Sequence, residues 1–357
     1  MSTTVSASSE LCLEPAYLPG QELAFPGDSR GGLAISCRSS AGFTDLLQEL
    51  EISLLVTSAR AGHMLTLGVQ NGQLLLTTVE QHQPGGIAAD EKRIAVATHG
   101  QVQIYASPSG TPDRGGRRPH GTHNTPPQFR AQRSHHTNGL VSPALGWGHE
   151  GLWMVNTGLS CLSLLRETGD AVVGWKPCFI SHLTDDDRCH LNGLAMQDGR
   201  PRYTTALGHS DRPLGWRAEP FQSGIVMDVP TGTVIADGLI VPRSPQVHLG
   251  RLYLLQSWIG ELCLVDTRSG TIECIQAFPG YLAGMGCHRG YAFVALSRVP
   301  DPEIAGSAAL TLREDLACGI AVVNLRTGRA EEAINFLTGI DQVSDLAVLP
   351  TRAPAVI

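Results

Sequence analysis

Five pairs of positions, each nine residues apart, recur along the chain: Ile87 and Val96, Leu145 and Met154, Leu194 and Tyr203, Pro245 and Leu254, Met285 and Val294. A small residue (Gly86, Ala144, Gly193, Ser244 or Gly284) precedes the first member of every pair, and that first member is aliphatic or Met in all but Pro245. Such a unit reads as a strand, a turn and a second strand repeated along the chain, with the small residue where neighbouring strands crowd an axis. Short β-rich runs such as "RIAVAT", "LWMVNT", "RLYLLQS" and "YAFVALS" alternate with Gly-containing turns such as "VQNGQ" and "DTRSGT". Regular strand spacing of this kind predicts an all-β architecture. Helical periodicity stands out only in "FTDLLQELE", residues 43–51.

The C-terminal "SDLAVLP" fits the inner-strand half of the unit at Leu346, but no second strand follows it. Near the N-terminus "LLVTSA" has the opposite defect. Pairing these two segments predicts a six-bladed β-propeller closed by the C-terminal strand on the N-terminal blade, an arrangement that leaves no exposed sheet edge at the junction. The expected layout is an extension over residues 1–30, one propeller over 31–350 and a tail over 351–357. Forty Gly and 22 Pro agree with many tight turns.

The same register separates two similar pentapeptides. "HLNGL" (190–194) is in phase, because Leu194 is followed nine residues later by Tyr203. "HTNGL" (136–140) is out of phase, so His136 is expected in the loop entering the third blade. Residues 107–135, Pro- and Gly-rich, read as an insertion between blades. Five arginines against Asp113 give it a local charge of +4. It suits either a solvated surface loop or a lid that meets an anionic substrate or partner.

In a propeller the inner strands line a central channel, so chemistry assembled from distant residues converges at its mouth. Counting two and four positions before the register residue selects His190, Asn192, Arg243, Tyr281, Gln342 and Ser344, with Ser244 and Asp345 immediately before it. Three roles for His190 stand open. With Asn192 it suits a divalent metal (Zn, Mn, Fe, Cu or Ca), and His136 is the candidate third ligand from the loop. With Asp345 it suits an acid/base pair, Arg243 anchoring a carboxylate or phosphate. Or it satisfies a backbone group and nothing more. Trp216 and Arg217, in the loop "LGHSDRPLGWR", together with Tyr281, Ser244 and Gln342, form the expected substrate-binding set. The run "DDDRCH" (185–190) reads as a solvated acidic turn, and Cys161 and Cys189 as buried fillers.

Several classes are disfavoured. A net charge of −7 argues against phosphate-neutralising contact with nucleic acid. No apolar run approaches a membrane span, and neither a P-loop nor a dinucleotide fingerprint occurs. Nine scattered Cys without a CxxC pair read as reduced thiols, and the N-terminus lacks a secretory pattern; the expectation is a cytoplasmic protein. Arg supplies nearly all positive charge, Lys92 and Lys176 being the lysines, a bias that suggests a bacterial source.

Over about residues 50–350 the chain resembles a largely uncharacterised family of bacterial propeller-like proteins, a conserved domain of unknown function. The resemblance is carried by "GLWMVNTGLSCLSLL" (151–165), "DRCHLNGLAMQDGRPRYTTALG" (187–208), "GWR" (215–217), "SPQVHLGRLYLLQSWIGEL" (244–262) and "GYAFVALS" (290–297). It implies the fold. It also implies a His–acid pair where this chain has Pro143-Ala144, and a His where this chain has Arg243. With "HLN" those would form a channel-mouth metal site of which only His190 and Asn192 remain here. The architecture is more distantly similar to gluconolactonase-like and strictosidine-synthase-like propellers, by fold alone.

Two function classes follow. One is an enzyme acting on a small molecule or modified peptide at the channel mouth, through His190, Asn192, Arg243 and Asp345, in a hydrolase-, lyase- or isomerase-like reaction. The other is a non-catalytic propeller that binds a protein partner on one rim. An enzyme predicts a concave polar pocket containing a perturbed pKa; a scaffold predicts a filled channel and a broad rim patch.

Overall fold

A computed structural model describes residues 20–27, 32–107, 128–137, 142–166, 168–300, 304, 316–351 and 357. Among the described residues, twenty-six strands form six antiparallel sheets, one per blade of a six-bladed β-propeller. The inner strands are Asp345–Pro350, Ile87–Ala89, Leu145–Gly148, Leu191–Gln197, Pro242–His248 and Tyr281–His288, for blades one to six in order. In blade one that C-terminal inner strand pairs with Ile52–Ser58, Leu346 lying opposite Val56 and Leu349 opposite Ser53. Blade six is wider. Beyond its own outer strand Arg329–Thr338 it carries two N-terminal strands, Ile35–Ser40 and Gly20–Phe25, so part of the expected extension is an edge of the sheet.

The nine-residue register holds at Ile87–Val96, Leu145–Met154 and Met285–Val294. In blade four Leu194 faces Thr204, one residue off. Blade five leaves Pro245 out of the ladder between Arg243 and Gln246. The departure in blade five follows from a bulge near the start of the inner strand and that in blade four from a shift between Ala195 and Met196; blades four and six also carry a bulge near the inner-strand start, between Leu191 and Gly193 and between Leu282 and Gly284. An extra residue at a bulge bends the strand and re-aims its side chains. Here the extra residues are Asn192, the Ser244-Pro245 pair and Ala283, all at the end of the channel where the site lies.

The small residue ahead of the register position has a steric cause. A β carbon on Gly86 would sit 2.8 Å from the backbone of Pro143 and Ala144 in the next inner strand, and one on Gly284 would sit 2.6 Å from an Asp345 carboxylate oxygen. Inner strands of adjacent blades are therefore in near-backbone contact. Outside this ring, aliphatic residues pack between successive blades. Leu54, Leu65, Leu67, Phe293, Ile320 and Leu346 share one such cluster. The helix Phe43–Leu50 joins it by burying Phe43, Leu47 and Leu50, which recur at helical spacing on one face.

Blade two corrects the reading of residues 107–135 as an insertion. Arg130–His136 is its outer strand, paired with Gln101–Ala106 so that His136 lies opposite Gln101. His136 is thus on an outer strand rather than in a loop. Nearly every residue of that strand is exposed on both faces, so it carries no apolar alternation to announce itself. Residues 108–127 of the expected insertion lie outside the described residues.

Candidate functional site

A cavity of about 550 Å³ opens at the channel mouth, and residues at or just before the starts of inner strands account for much of its wall. Five of the six positions two before the register residue line it: Gly85, Pro143, Arg243, Ala283 and Ser344. Of the positions four before, Gln83, Tyr281 and Gln342 line it as well. Ser257 and Ser297, at the ends of second strands, and the exposed Arg60, which is ion-paired with Asp341 at 3.2 Å, complete the polar lining.

Most of these polar groups are held by backbone partners. The Gln342 side-chain amide donates to Ser344 Oγ at 3.1 Å and to the Val343 carbonyl at 2.9 Å, and its oxygen accepts from the Arg60 N–H at 3.1 Å. Ser344 Oγ accepts from the Ala59 N–H at 3.0 Å. Ser244 adopts a left-handed φ of 46° and donates its hydroxyl to the Ala283 carbonyl at 3.3 Å, a link between blades five and six. Tyr281 is buried, with its ring 4.9 Å from that of Trp258. Arg243 is the half-buried cation of the wall.

Directly after Ser344 comes Asp345, whose carboxyl joins three blades. One oxygen accepts from the Ile87 N–H at 3.0 Å, and the other accepts from the Leu346 N–H at 2.8 Å while lying against Gly284. Burial among these inner strands pushes its pKa up to about 7, against the opposing pull of the two N–H donors and the Arg243 charge. Loss of hydration outweighs the donors because the charged form has few other solvating groups.

Blade four contributes differently. His190 and Asn192 are buried and do not line this cavity. His190 Nδ1 hydrogen-bonds Asp187 Oδ2 at 2.7 Å, the same oxygen accepts the Trp216 indole N–H at 2.8 Å, and the two rings lie 4.3 Å apart. Left-handed backbone at Asp187 (φ 43°) and His190 (φ 51°) bends this segment into the network. Asn192 accepts from the Thr205 hydroxyl at 2.7 Å, and its amide nitrogen is buried without a partner. His136, exposed on the outer strand of blade two, is not brought to His190 and Asn192. Trp216 and Arg217 line a second, smaller cavity of about 210 Å³ with Glu219, Phe221 and Ile304, the Arg217 guanidinium lying 4.5 Å over the indole ring.

A family sequence pattern described as "Domain of unknown function (DUF4915)" matches residues 41–357. The chain belongs to the DUF4915 family. No curated protein matches it in sequence. Among solved structures, the nidogen/laminin complex includes a chain similar to this DUF4915 protein over 84% of this chain and 99% of that one, at 10% identity and a TM-score of 0.56. TolB from Acinetobacter baumannii is similar over 83% and 66% of the two chains, at 12% identity and a TM-score of 0.48. The first likeness is one of fold alone. Among the described residues of the DUF4915 chain, no helix is long and apolar enough to cross a membrane.

The "DDDRCH" run of this DUF4915 chain departs from a solvated acidic turn. Arg188 is 12% exposed and bridges Asp186 at 3.1 Å and Asp211 at 2.8 Å, while Asp187 organises His190 and Trp216. Asp187 was legible only as one carboxylate among three. Burial pushes the Cys189 thiol up to about 12 and raises that of Cys161, which leaves both protonated and unreactive near neutral pH.

Proposed function

We propose that this DUF4915 protein is an enzyme that binds a small anionic molecule at the channel mouth and transforms it by acid/base chemistry. Arg243 is the anion anchor and Asp345 the proton donor or acceptor. One observation carries this reading: five blades converge, at or just before the starts of their inner strands, on a 550 Å³ cavity lined by the Arg243 guanidinium, next to a carboxyl whose pKa is raised to about 7. A concave site with few polar groups and a perturbed titration is what small-molecule chemistry requires. A carboxyl titrating near neutrality holds and releases a proton with comparable ease, the best compromise for general acid/base work. Tyr281, Ser344 and Gln342 would shape the remaining wall, while His190 and Asn192 would serve the packing of blade four.

Arg243 gives the ligand class. A carboxylate or phosphate ester placed on a half-buried guanidinium gains charge-assisted hydrogen bonds of about 1.5–3 kcal/mol, or roughly 10- to 100-fold in affinity. The test is calorimetric titration of wild type and Arg243→Met with a panel of small dicarboxylates and phosphomonoesters. Wild type should bind at least one of them, and the variant should lose about that factor. Asp345→Asn should keep binding within a few-fold while turnover of the bound compound stops. No binding by wild type, or equal binding by Arg243→Met, would overturn the reading and favour the rival class, a propeller that engages a protein partner on its rim.

A further inference from the structure

Blade five carries a second cluster, separate from the channel. Glu261 and Cys263 belong to its third strand, Glu261–Val265, and Cys274 to its fourth, Ile272–Ala277, where Cys263 and Cys274 face each other in register. One oxygen or sulfur atom from each of the three residues lies within 4.8 Å of the others, and Cys263 Sγ is 3.9 Å from Glu261 Oε2. Cys263 is buried in the seam between blades four and five, whereas Glu261 and Cys274 reach partial exposure.

We propose that Glu261, Cys263 and Cys274 form a binding site for a thiophilic divalent cation of the zinc class, with water in the fourth position. Tetrahedral bonds of about 2.3 Å to sulfur and about 2.0–2.2 Å to oxygen set donor atoms about 3.5–3.8 Å apart. The 3.9 Å separation already meets that spacing to within a side-chain adjustment, and the 4.8 Å limit leaves about 1 Å to close. Two sulfurs with one carboxylate select zinc over magnesium or calcium, which take oxygen ligands. A partly exposed third ligand and an open fourth position give the ion a path in.

The surroundings are built to orient these donors. The Gln256 side-chain amide donates to Glu261 Oε2 at 3.0 Å and to Cys263 Sγ at 3.6 Å, while its oxygen accepts from the Ile240 N–H at 2.9 Å. One side chain, pinned to the backbone connecting blades four and five, therefore fixes two ligands on blade five. Outer groups of this kind set ligand orientation and tune affinity. Coordination displaces the thiol protons to solvent; no electron is transferred and no co-reactant is needed.

The experiment is titration of the reduced full-length chain with Co²⁺, followed by displacement with Zn²⁺. Near-stoichiometric Co²⁺ should produce thiolate-to-cobalt charge-transfer absorption and intense tetrahedral ligand-field bands, both abolished by one equivalent of Zn²⁺. Cys274→Ser, at a partly exposed position, should fold normally and lose the charge-transfer band or weaken binding at least tenfold. Glu261→Gln should weaken binding while keeping the band, and Cys178→Ser, at an exposed cysteine elsewhere, should change nothing. A band that survives unchanged in Cys274→Ser would overturn the proposal. So would reduced wild-type protein that takes up no Co²⁺ and only closes a Cys263–Cys274 disulfide in air.

Discussion

At the level of single residues, Asp345 is where structure and chemistry meet. Its pKa is raised to about 7, so the native carboxyl keeps its proton at pH values where the unfolded chain has released it. The native state then binds more protons, and this group's contribution to stability falls as pH rises from about 4 to about 7, levelling off above. Half-buried His248 and His288 act oppositely, since their lowered pKa values withdraw stability as pH falls. The comparison must therefore be differential. Asp345→Asn should remove the descending component, so that the variant gains relative to wild type between about pH 4 and pH 7 when both are melted in parallel. Equal pH profiles would mean that Asp345 titrates as an ordinary carboxyl. Asn keeps one acceptor for two N–H donors, so the variant should start about 1–3 kcal/mol lower at acid pH. His190 makes a contrasting case. His190→Ala breaks the buried bond to Asp187 and empties the space beside Trp216, which should cost about 2–4 kcal/mol in urea unfolding while leaving binding at the cavity unchanged. Loss of binding without loss of stability would instead return His190 to the site.

At the level of strands, the inner-strand start explains what could be read from sequence. Spacing alone placed Ile87, Leu145 and Met285 in register, and counting back from Pro245, Met285 and Leu346 selected Arg243, Tyr281, Gln342 and Ser344, which line one cavity. The slip in blade four came from the register shift between Ala195 and Met196, where Arg202 is the extra residue on the facing strand, since an extra residue changes the local phase without changing composition. The outer strand of blade two was illegible because both of its faces meet solvent. Side-chain partners such as Asp187 with Trp216 are set by tertiary approach across 29 residues, which no local pattern encodes. Glycine was the legible sign of close approach. Gly284→Ala would drive a methyl group into the Asp345–Leu346 backbone and the Asp345 carboxylate, neither of which can rotate away. It should cost about 2–4 kcal/mol, whereas Gly290→Ala, with φ +85° and open space around it, should cost about 1 kcal/mol from backbone strain alone. Equal losses in the two variants would show that the inner ring tolerates a β carbon.

At the level of the whole molecule, the two chain ends meet in adjacent blades. N-terminal strands widen blade six, the helix Phe43–Leu50 carries the chain across, and Ile52–Ser58 pairs with the C-terminal strand Asp345–Pro350 in blade one. That last strand is a wedge with two working faces. Leu346 packs with Leu54, Phe293 and Ile320 toward blade six, and Leu349 packs with Leu55, Ile87 and Ile94 toward blade two. Both leucines are buried, and truncation of such a side chain to Ala costs about 2–5 kcal/mol through lost transfer energy and the cavity left behind. Since they sit in different clusters on opposite faces of one strand, their effects should add to within about 0.5 kcal/mol. Leu346→Ala and Leu349→Ala should each shift the urea midpoint while preserving a cooperative transition. The double variant should lose about 4–10 kcal/mol, comparable to the whole stability of an ordinary domain, and be largely unfolded in buffer. The same loss would dismantle the cavity, because Gln342, Val343 and Ser344, which line it, lead directly into this strand. A double variant that unfolds at nearly the wild-type urea concentration would mean that the other blades hold the ring without its C-terminal strand.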